Sequence, residues 1–330
     1  MATSEEFKHH VVQLDGHIDL PPLRFPHTFE KHLHTSPSEL PSRIASATIA
    51  IGTAVTITKA NFLSATKLKL LACLGAGCDR FDLHAAKECG VTVTNTPAQN
   101  TSTVAEHALS LYFAVKRKIV ELDRFTKEGE RWKSQGMSST EFKGVMPRIC
   151  EEEIVGIIGY GALGKRVEKM CKALDMCVLI AERKGSSDIR ASRIGFEDVL
   201  RGCTTLFVTC PLDPSTHNMI SHHELSLLQP MSILVNVGRG GIVNEIALAT
   251  VLKEGKLLGA GTDVFEHEPA TKENCPLLAE DVPGLVATPH LAWFSDRTIL
   301  GTKECVRDTI EAFVRGEPVN IVADGRKQVE

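Results

Sequence analysis

Arg239, Asp263, Glu268 and His290 each stand just beyond a short apolar run of the kind that forms a buried strand. In open sheets of parallel strands, ligands bind past the carboxyl ends of the strands, so these four are the first candidates for chemistry. Arginine's planar fork matches a carboxylate bidentately and can polarise a neighbouring carbonyl. Histidine, with an ordinary pKa of about 6.5, can hold or release a proton near neutrality. A carboxylate beside it, here Glu268, would raise that pKa and decide which ring nitrogen carries the proton. A cation, a proton donor and an acid to orient the donor are what the reduction of a 2-keto acid needs. Taken singly, each residue is more often an ordinary loop side chain, so the weight rests on the set. His267, between two glutamates, reads as solvated.

A second signal is the turn Gly159-Tyr160-Gly161-Ala162-Leu163-Gly164. Its first glycine permits a tight turn, Gly161 lets the backbone approach a pyrophosphate, and Gly164 lets a helix lie close to a sheet. The pattern alone is weak. Here it follows the strand-like run Ile154 to Ile158 and opens a helix with Leu163, Val167, Met170, Cys171 and Leu174 on one face. An acid, Glu182, stands at the end of the next strand, 18 residues after Gly164. That context reads as a dinucleotide site, with phosphates at the helix N-terminus and Glu182 accepting from the adenosine ribose hydroxyls. A 2′-phosphate would be repelled by Glu182, which favours NAD. Arg183 and Lys184 keep NADP as the alternative, because they could clamp that phosphate if Glu182 turned aside.

The elements that must position these residues alternate between short β-branched runs and helical patterns, an α/β fold with parallel sheets. From Ile154 the strands fall at 154–158, 177–181, 205–209, 232–236, 257–261 and 285–287, the rhythm of a doubly wound nucleotide domain. The first hundred residues repeat the style more weakly, with strands at 11–14, 48–51, 70–74 and 91–94. One long helix is expected from about Ser102 to Lys127. Its apolar Val104, Leu109, Leu111, Val115 and Ile119 exceed one face, so a partner subunit is expected to cover part of it. A last helix, about Asp296 to Arg315, stops at Gly316 with Pro318 beyond. Residues 129–146 look least structured.

Composition excludes several classes. With 330 residues, 43% hydrophobic and 24% charged, the chain is an ordinary globular protein long enough for two domains. Aromatics at 5% leave the cores to Val, Ile, Leu and Ala. A net charge of −4 gives no case for nucleic acid. The ten cysteines are scattered, without CxxC, which points to a reducing compartment and no metal site. Residues 1–15 lack the apolar stretch of a signal peptide, no run is long enough to span a membrane, and the last four residues are not a peroxisomal address. A cytoplasmic protein is expected.

Over about Leu70 to Val319 the ordered motifs are Gly75-Ala76-Gly77-Cys78-Asp79, Asn95-Thr96-Pro97, Val104-Ala105-Glu106, the glycine turn, and Cys210-Pro211-Leu212 with Thr216. They continue with Val235 to Gly241, Gly261 to Phe265 with Glu268-Pro269, and Thr288-Pro289-His290-Leu291-Ala292-Trp293. In these the sequence resembles the D-isomer-specific 2-hydroxyacid dehydrogenases, which include glyoxylate/hydroxypyruvate reductases. The resemblance implies that Arg239 binds the substrate carboxylate and carbonyl, that His290 is the proton donor and Glu268 its partner. It implies that the Ala76 and Gly77 amides bind the carboxylate and that Trp293 walls the pocket. Cofactor contacts would come from Thr103, Gly159, Gly161, Ala162, Leu163, Gly164, Glu182, Arg183, Thr209, Pro211, Val237, Gly238, Asp263 and His290. It also implies a Rossmann cofactor domain, 102–295, a smaller flavodoxin-like substrate domain, 1–101 with 296–330, and a homodimer joined through the long helix.

Pro147 to Glu153 replaces the family's usual Gly-x-Glu-Leu-x-Gly-Lys segment, and the first 45 residues match nothing recognisable, which leaves the choice among 2-keto acids open. Reductases of bulkier keto acids, an NAD-sensing corepressor and an idle scaffold are the alternatives. The intact Arg, Glu and His set speaks against the scaffold, and the short stretch after the last helix against the corepressor.

Overall fold

The β-branched runs become strands of two six-stranded sheets in a computed structural model that describes residues 8–135, 142 and 146–326. The chain divides into two units, Met1–Asn100 with Phe294–Glu330, and Thr101–Trp293. The first seven and last four residues, on which the signal-peptide and peroxisomal readings partly or wholly fall, lie outside the described residues, as does most of 136–145.

In the first unit the strands are β1 (His9–Gln13), β2 (His27–Lys31), β3 (Ile49–Gly52), β4 (Leu70–Cys73), β5 (Thr92–Thr94) and β12 (Ile321–Ala323), in the order β12-β5-β4-β3-β1-β2. The five parallel strands have the flavodoxin-like order, as expected. Two strands escape the sequence reading. β2, His-Thr-Phe-Glu-Lys, is an exposed edge strand with no apolar alternation to betray it. β12 is short and pairs antiparallel with β5 at the other edge, a departure from the all-parallel expectation. Successive side chains alternate across this sheet. Val11, Ile49, Ile51, Leu70 and Ala72 pack with Val306 and Ile310 of the last helix, while Val12, Ala50, Leu71 and Cys73 face the opposite core with α1 (Leu40–Ile44), α2 (Lys59–Ser64) and α3 (Leu83–Glu88).

In the second unit β6 (Ile154–Ile158), β7 (Cys177–Ile180), β8 (Thr205–Val208), β9 (Ile233–Asn236), β10 (Gly259–Thr262) and β11 (Leu285–Ala287) all run parallel, in the order β11-β10-β9-β8-β6-β7. The strand order reverses between the neighbours β6 and β8, which is the switch point of the sheet. Helix α4 (Thr101–Lys116) packs with α7 (Ala162–Lys172) on Val155, Ile157, Phe207 and Val235; α8 (Phe196–Gly202), α9 (His222–Leu227) and α10 (Glu245–Lys253) cover the other face.

The single long helix expected from Ser102 to Lys127 is instead broken. Lys118 takes a left-handed φ of 50°, ending α4 and starting α5 (Ile119–Glu128). Val104, Leu109, Leu111 and Val115 are buried within their own unit, so they are not a surplus for a partner; Ile119, Val120 and, further on, Trp132 are exposed. The segment α6 (Glu130–Gln135), expected to be irregular, is helical. No described helix is long and apolar enough to cross a membrane, and all ten cysteines are free.

Candidate active site

Because every strand of the second sheet is parallel, all its carboxyl ends share one edge. Along it stand Glu182 after β7, the glycine turn after β6, Thr209 to Pro211 after β8, Arg239 after β9, Asp263 and Glu268 after β10, and His290 after β11. At about 4.8 Å per strand, the Glu182 end and the His290 end are roughly 24 Å apart.

The glycine turn is tightly determined. Gly159 has φ +86°, and a Cβ on Gly164 would come within 2.2 Å of the Gly159 carbonyl, so only glycine lets α7 start so close to the strand. Thr209 Oγ donates to that same carbonyl at 2.7 Å. At Gly161 a Cβ would meet nothing within 4 Å: the backbone there faces open space. The α7 N-terminus has no side-chain cap, and among the described residues the N–H groups of Gly161, Ala162 and Leu163 have no acceptor. A bare helix start with unpaired donors and room above it fits the phosphates of a dinucleotide. Cys210 backs the turn; burial pushes its thiol up to about 11, and it serves as packing.

Glu182 is not presented as a free acceptor. Its residue is 4% exposed. Oε1 accepts from Arg183 N (2.8 Å) and Arg190 Nη2 (2.5 Å), and Oε2 from Arg190 Nε (2.7 Å) and Arg190 N (3.2 Å). The guanidinium and the two amides hold the carboxyl down at about 2, the Arg190 side chain contributing most. Sequence gave no warning of this, since Arg190 lies in an irregular loop with no periodicity.

At the other end, Glu268 Oε2 meets His290 Nδ1 at 2.8 Å, and Glu268 Oε1 accepts from Phe265 N at 3.1 Å. A carboxylate so anchored keeps the proton on Nδ1, and Nε2 has no partner among the described residues. The His290 side chain is 40% exposed, open to a reactant. Arg239 is half-buried, with Nη1 donating to the Gly238 carbonyl at 2.8 Å. Its loop is braced by Asn236, whose Nδ2 donates to the Arg239 carbonyl and whose Oδ1 accepts from Gly238 N. The loop also lies so close to β10's continuation that a Cβ on Gly240 would fall 1.9 Å from the Phe265 carbonyl. His267 is exposed.

Asp263 has a role that sequence did not disclose. It is 1% exposed. Oδ1 accepts from Leu291 N (2.9 Å) and Thr288 Oγ (2.6 Å), Oδ2 from Ala292 N (2.9 Å), and its carbonyl from His290 N (2.8 Å). It ties down the loop that carries His290. His107, on α4, adds a contact from Nε2 to Thr288 Oγ at 2.9 Å. Trp293 Nε1 donates to the His290 carbonyl at 2.9 Å. Thr103, Pro211 and Val237 occupy α4 and the loops after β8 and β9, Val237 buried and Pro211 exposed.

In the first unit, the Gly75-Ala76-Gly77 loop follows β4. Asn95 Nδ2 donates to the Ala76 carbonyl and Cys73 Sγ to that of Gly77, while the Ala76 and Gly77 N–H groups have no acceptor among the described residues. Two adjacent unpaired amides offer two donors suited to an anion.

Residues 109–292 match the sequence model of the D-isomer specific 2-hydroxyacid dehydrogenase, NAD binding domain. A glycerate dehydrogenase of Methylorubrum extorquens is 35% identical over 299 residues, 90% of this chain and 93% of that protein. A glyoxylate reductase of Thermococcus litoralis is 35% identical over 265 residues, 78% of each chain. Among solved structures, an NADPH-dependent glyoxylate/hydroxypyruvate reductase of Sinorhizobium meliloti, in complex with NADP and malonate, superposes with a TM-score of 0.80 at 25% identity, covering 98% of this chain and 99% of that one. With the ordered motifs and a dinucleotide-binding sheet edge already in view, the conclusion follows that this chain belongs to the D-isomer-specific 2-hydroxyacid dehydrogenases, oxidoreductases dependent on NAD(P).

Proposed function

We propose that the chain reduces a small 2-keto acid of the glyoxylate or hydroxypyruvate kind to the 2-hydroxy acid, with His290 as proton donor. The observation that carries this reading is the 2.8 Å His290–Glu268 pair on the same sheet edge as Arg239 and the glycine turn. The names of the glycerate dehydrogenase and glyoxylate reductase relatives support the substrate class.

The Gly161, Ala162 and Leu163 amides would hold the dinucleotide phosphates, with Thr103, Thr209, Pro211, Val237 and Gly238 along its length. Bound there, the reduced nicotinamide supplies the hydride for C2 of the keto acid. Arg239 holds carboxylate and carbonyl oxygens and stabilises the negative charge that grows on the latter. His290 passes its Nε2 proton to that oxygen, so keto acid, hydride and proton sum to the 2-hydroxy acid. Glu268, bonded to Nδ1, steadies the imidazolium before the transfer and fixes the tautomer after it. The unpaired Ala76 and Gly77 amides support their assignment to the substrate carboxylate, and Trp293 is assigned to the pocket wall. The substrate-binding part is assigned to 1–101 with 296–330 and the cofactor part to 102–295. We place the protein in the cytoplasm, consistent with ten free cysteines, and as a homodimer, for which exposed Ile119, Val120 and Trp132 offer apolar surface.

Purified His290→Ala should bind reduced dinucleotide normally yet lose most turnover, and unchanged turnover would reject the role. Arg239→Ala should both weaken substrate binding and slow reduction. A panel of keto acids from glyoxylate to phenylglyoxylate, followed at 340 nm, ranks the substrates.

A further inference from the structure

The strand end where a ribose would be read carries a carboxylate that has no vacancy. A carboxylate has about four lone-pair directions, and Arg183 N with three donors of Arg190 fills those of Glu182. A ribose hydroxyl finds an acceptor there only if a bidentate guanidinium lets go. What this edge presents to solvent is guanidinium groups instead. The Arg190 side chain is 53% exposed on its outer face. Arg183 is exposed and its guanidinium has no ion pair among the described residues. Arg193 lies with its guanidinium 4.5 Å over the ring of Tyr160, the second residue of the glycine turn. Of the neighbouring acids, Glu224 is neutralised by Lys184 at 2.7 Å, while Asp213 is held in place by Ser215 N and Oγ. Two negative charges remain beside these guanidinium groups, Asp213 near Arg183 and Asp188 near Arg190.

We propose that the 182–193 segment is a reader of the 2′-phosphate, so that this chain prefers NADPH to NADH, and that Arg190 sets the preference by holding Glu182 away from the ligand. This rests on the dinucleotide reading above. A 2′-phosphate carries about −1.5 to −2 charge. Beside an unpaired Glu182 it would be repelled; beside a neutralised Glu182 it meets Arg183 and the outer edge of Arg190, forks shaped for phosphate oxygens. The same glutamate that in sequence argues for NAD is thereby silenced by a residue eight positions on. Arg190 is thus a positioning residue for specificity, and Arg183 the contact.

The test is equilibrium binding by the full-length protein: fluorescence titration with NADPH and NADH, and calorimetry with adenosine 2′,5′-bisphosphate against 5′-AMP. The wild-type chain should bind NADPH about tenfold or more tighter than NADH, and the bisphosphate tighter than AMP by a similar factor, as one or two charge-assisted bonds give. Arg183→Ala should weaken NADPH about tenfold while moving NADH less than about threefold. Arg190→Ala should free Glu182 and close or invert the NADPH/NADH ratio. Should that variant fold poorly, Arg183→Ala and the wild-type ratio still decide. Equal or tighter NADH binding by the wild-type chain, or a ratio unmoved in both variants, overturns the proposal alone. Binding of none of the four ligands overturns it together with the dinucleotide reading.

Discussion

Asp263→Asn separates two roles for one buried residue. The resemblance assigns Asp263 to the cofactor, whereas its carboxylate oxygens hold Leu291 N, Thr288 Oγ and Ala292 N of the loop that carries His290. Asparagine keeps the size but turns one oxygen into an NH2. With the amide oxygen kept toward Leu291 and Thr288, the NH2 faces the Ala292 N–H, donor against donor. One charge-assisted bond is lost, about 1.5–3 kcal/mol, in a site 1% exposed where water cannot replace it. If that loss falls on the state in which His290 reaches substrate, kcat/KM drops about tenfold to a hundredfold, at 1.4 kcal/mol per decade. Steady-state reduction of glyoxylate, with dinucleotide affinity measured separately by fluorescence, distinguishes the roles. A positioning residue lowers kcat/KM and leaves the dinucleotide Kd near its wild-type value. A Kd raised by the same factor as kcat/KM falls would refute the positioning argument and return Asp263 to the cofactor. A variant within about threefold of wild type in both would refute the energetic reasoning itself.

Lys116 and Glu153 form a pair 3.1 Å apart, each side chain 3% exposed, with Tyr112 Oη at 2.6 Å from the ammonium. Lys116→Met strands a buried carboxylate and should cost about 3–5 kcal/mol, seen as a lower urea midpoint; Lys116→Met with Glu153→Leu should regain most of it. Gly164→Ala places a methyl within 2.2 Å of the Gly159 carbonyl. Displacing the α7 start should cost about 1–3 kcal/mol and weaken dinucleotide binding, checked by the same titration. The Glu182 carboxyl is lowered from 4.5 to about 2. A depressed carboxylate stabilises the fold above its unfolded pKa and loses that contribution as pH falls through its folded one. Melting temperatures of wild type and Glu182→Gln should therefore converge between about pH 4.5 and pH 2, and a constant gap across that window would contradict the pairing.

Much of this protein is written locally. Parallel buried strands are continuous apolar runs, so Ile154–Ile158, Thr205–Val208 and Ile233–Asn236 declare themselves, and parallel order then delivers every strand end to one edge. The glycine turn is legible because only glycine meets its steric demands, and Arg239, Glu268 and His290 because they sit in ordered motifs beyond those strands. Edge elements were not legible: β2 has no buried face to impose alternation, β12 is three residues long, and the break at Lys118 is a single left-handed residue inside an otherwise helical pattern. Nor were the partners of the acids. Whether Glu182 faces a ligand or Arg190, and whether Asp263 serves a cofactor or the 288–292 loop, depends on contacts between segments whose spacing carries no periodic signal. Residue type states that a carboxylate is present; only the fold decides which donors reach it first.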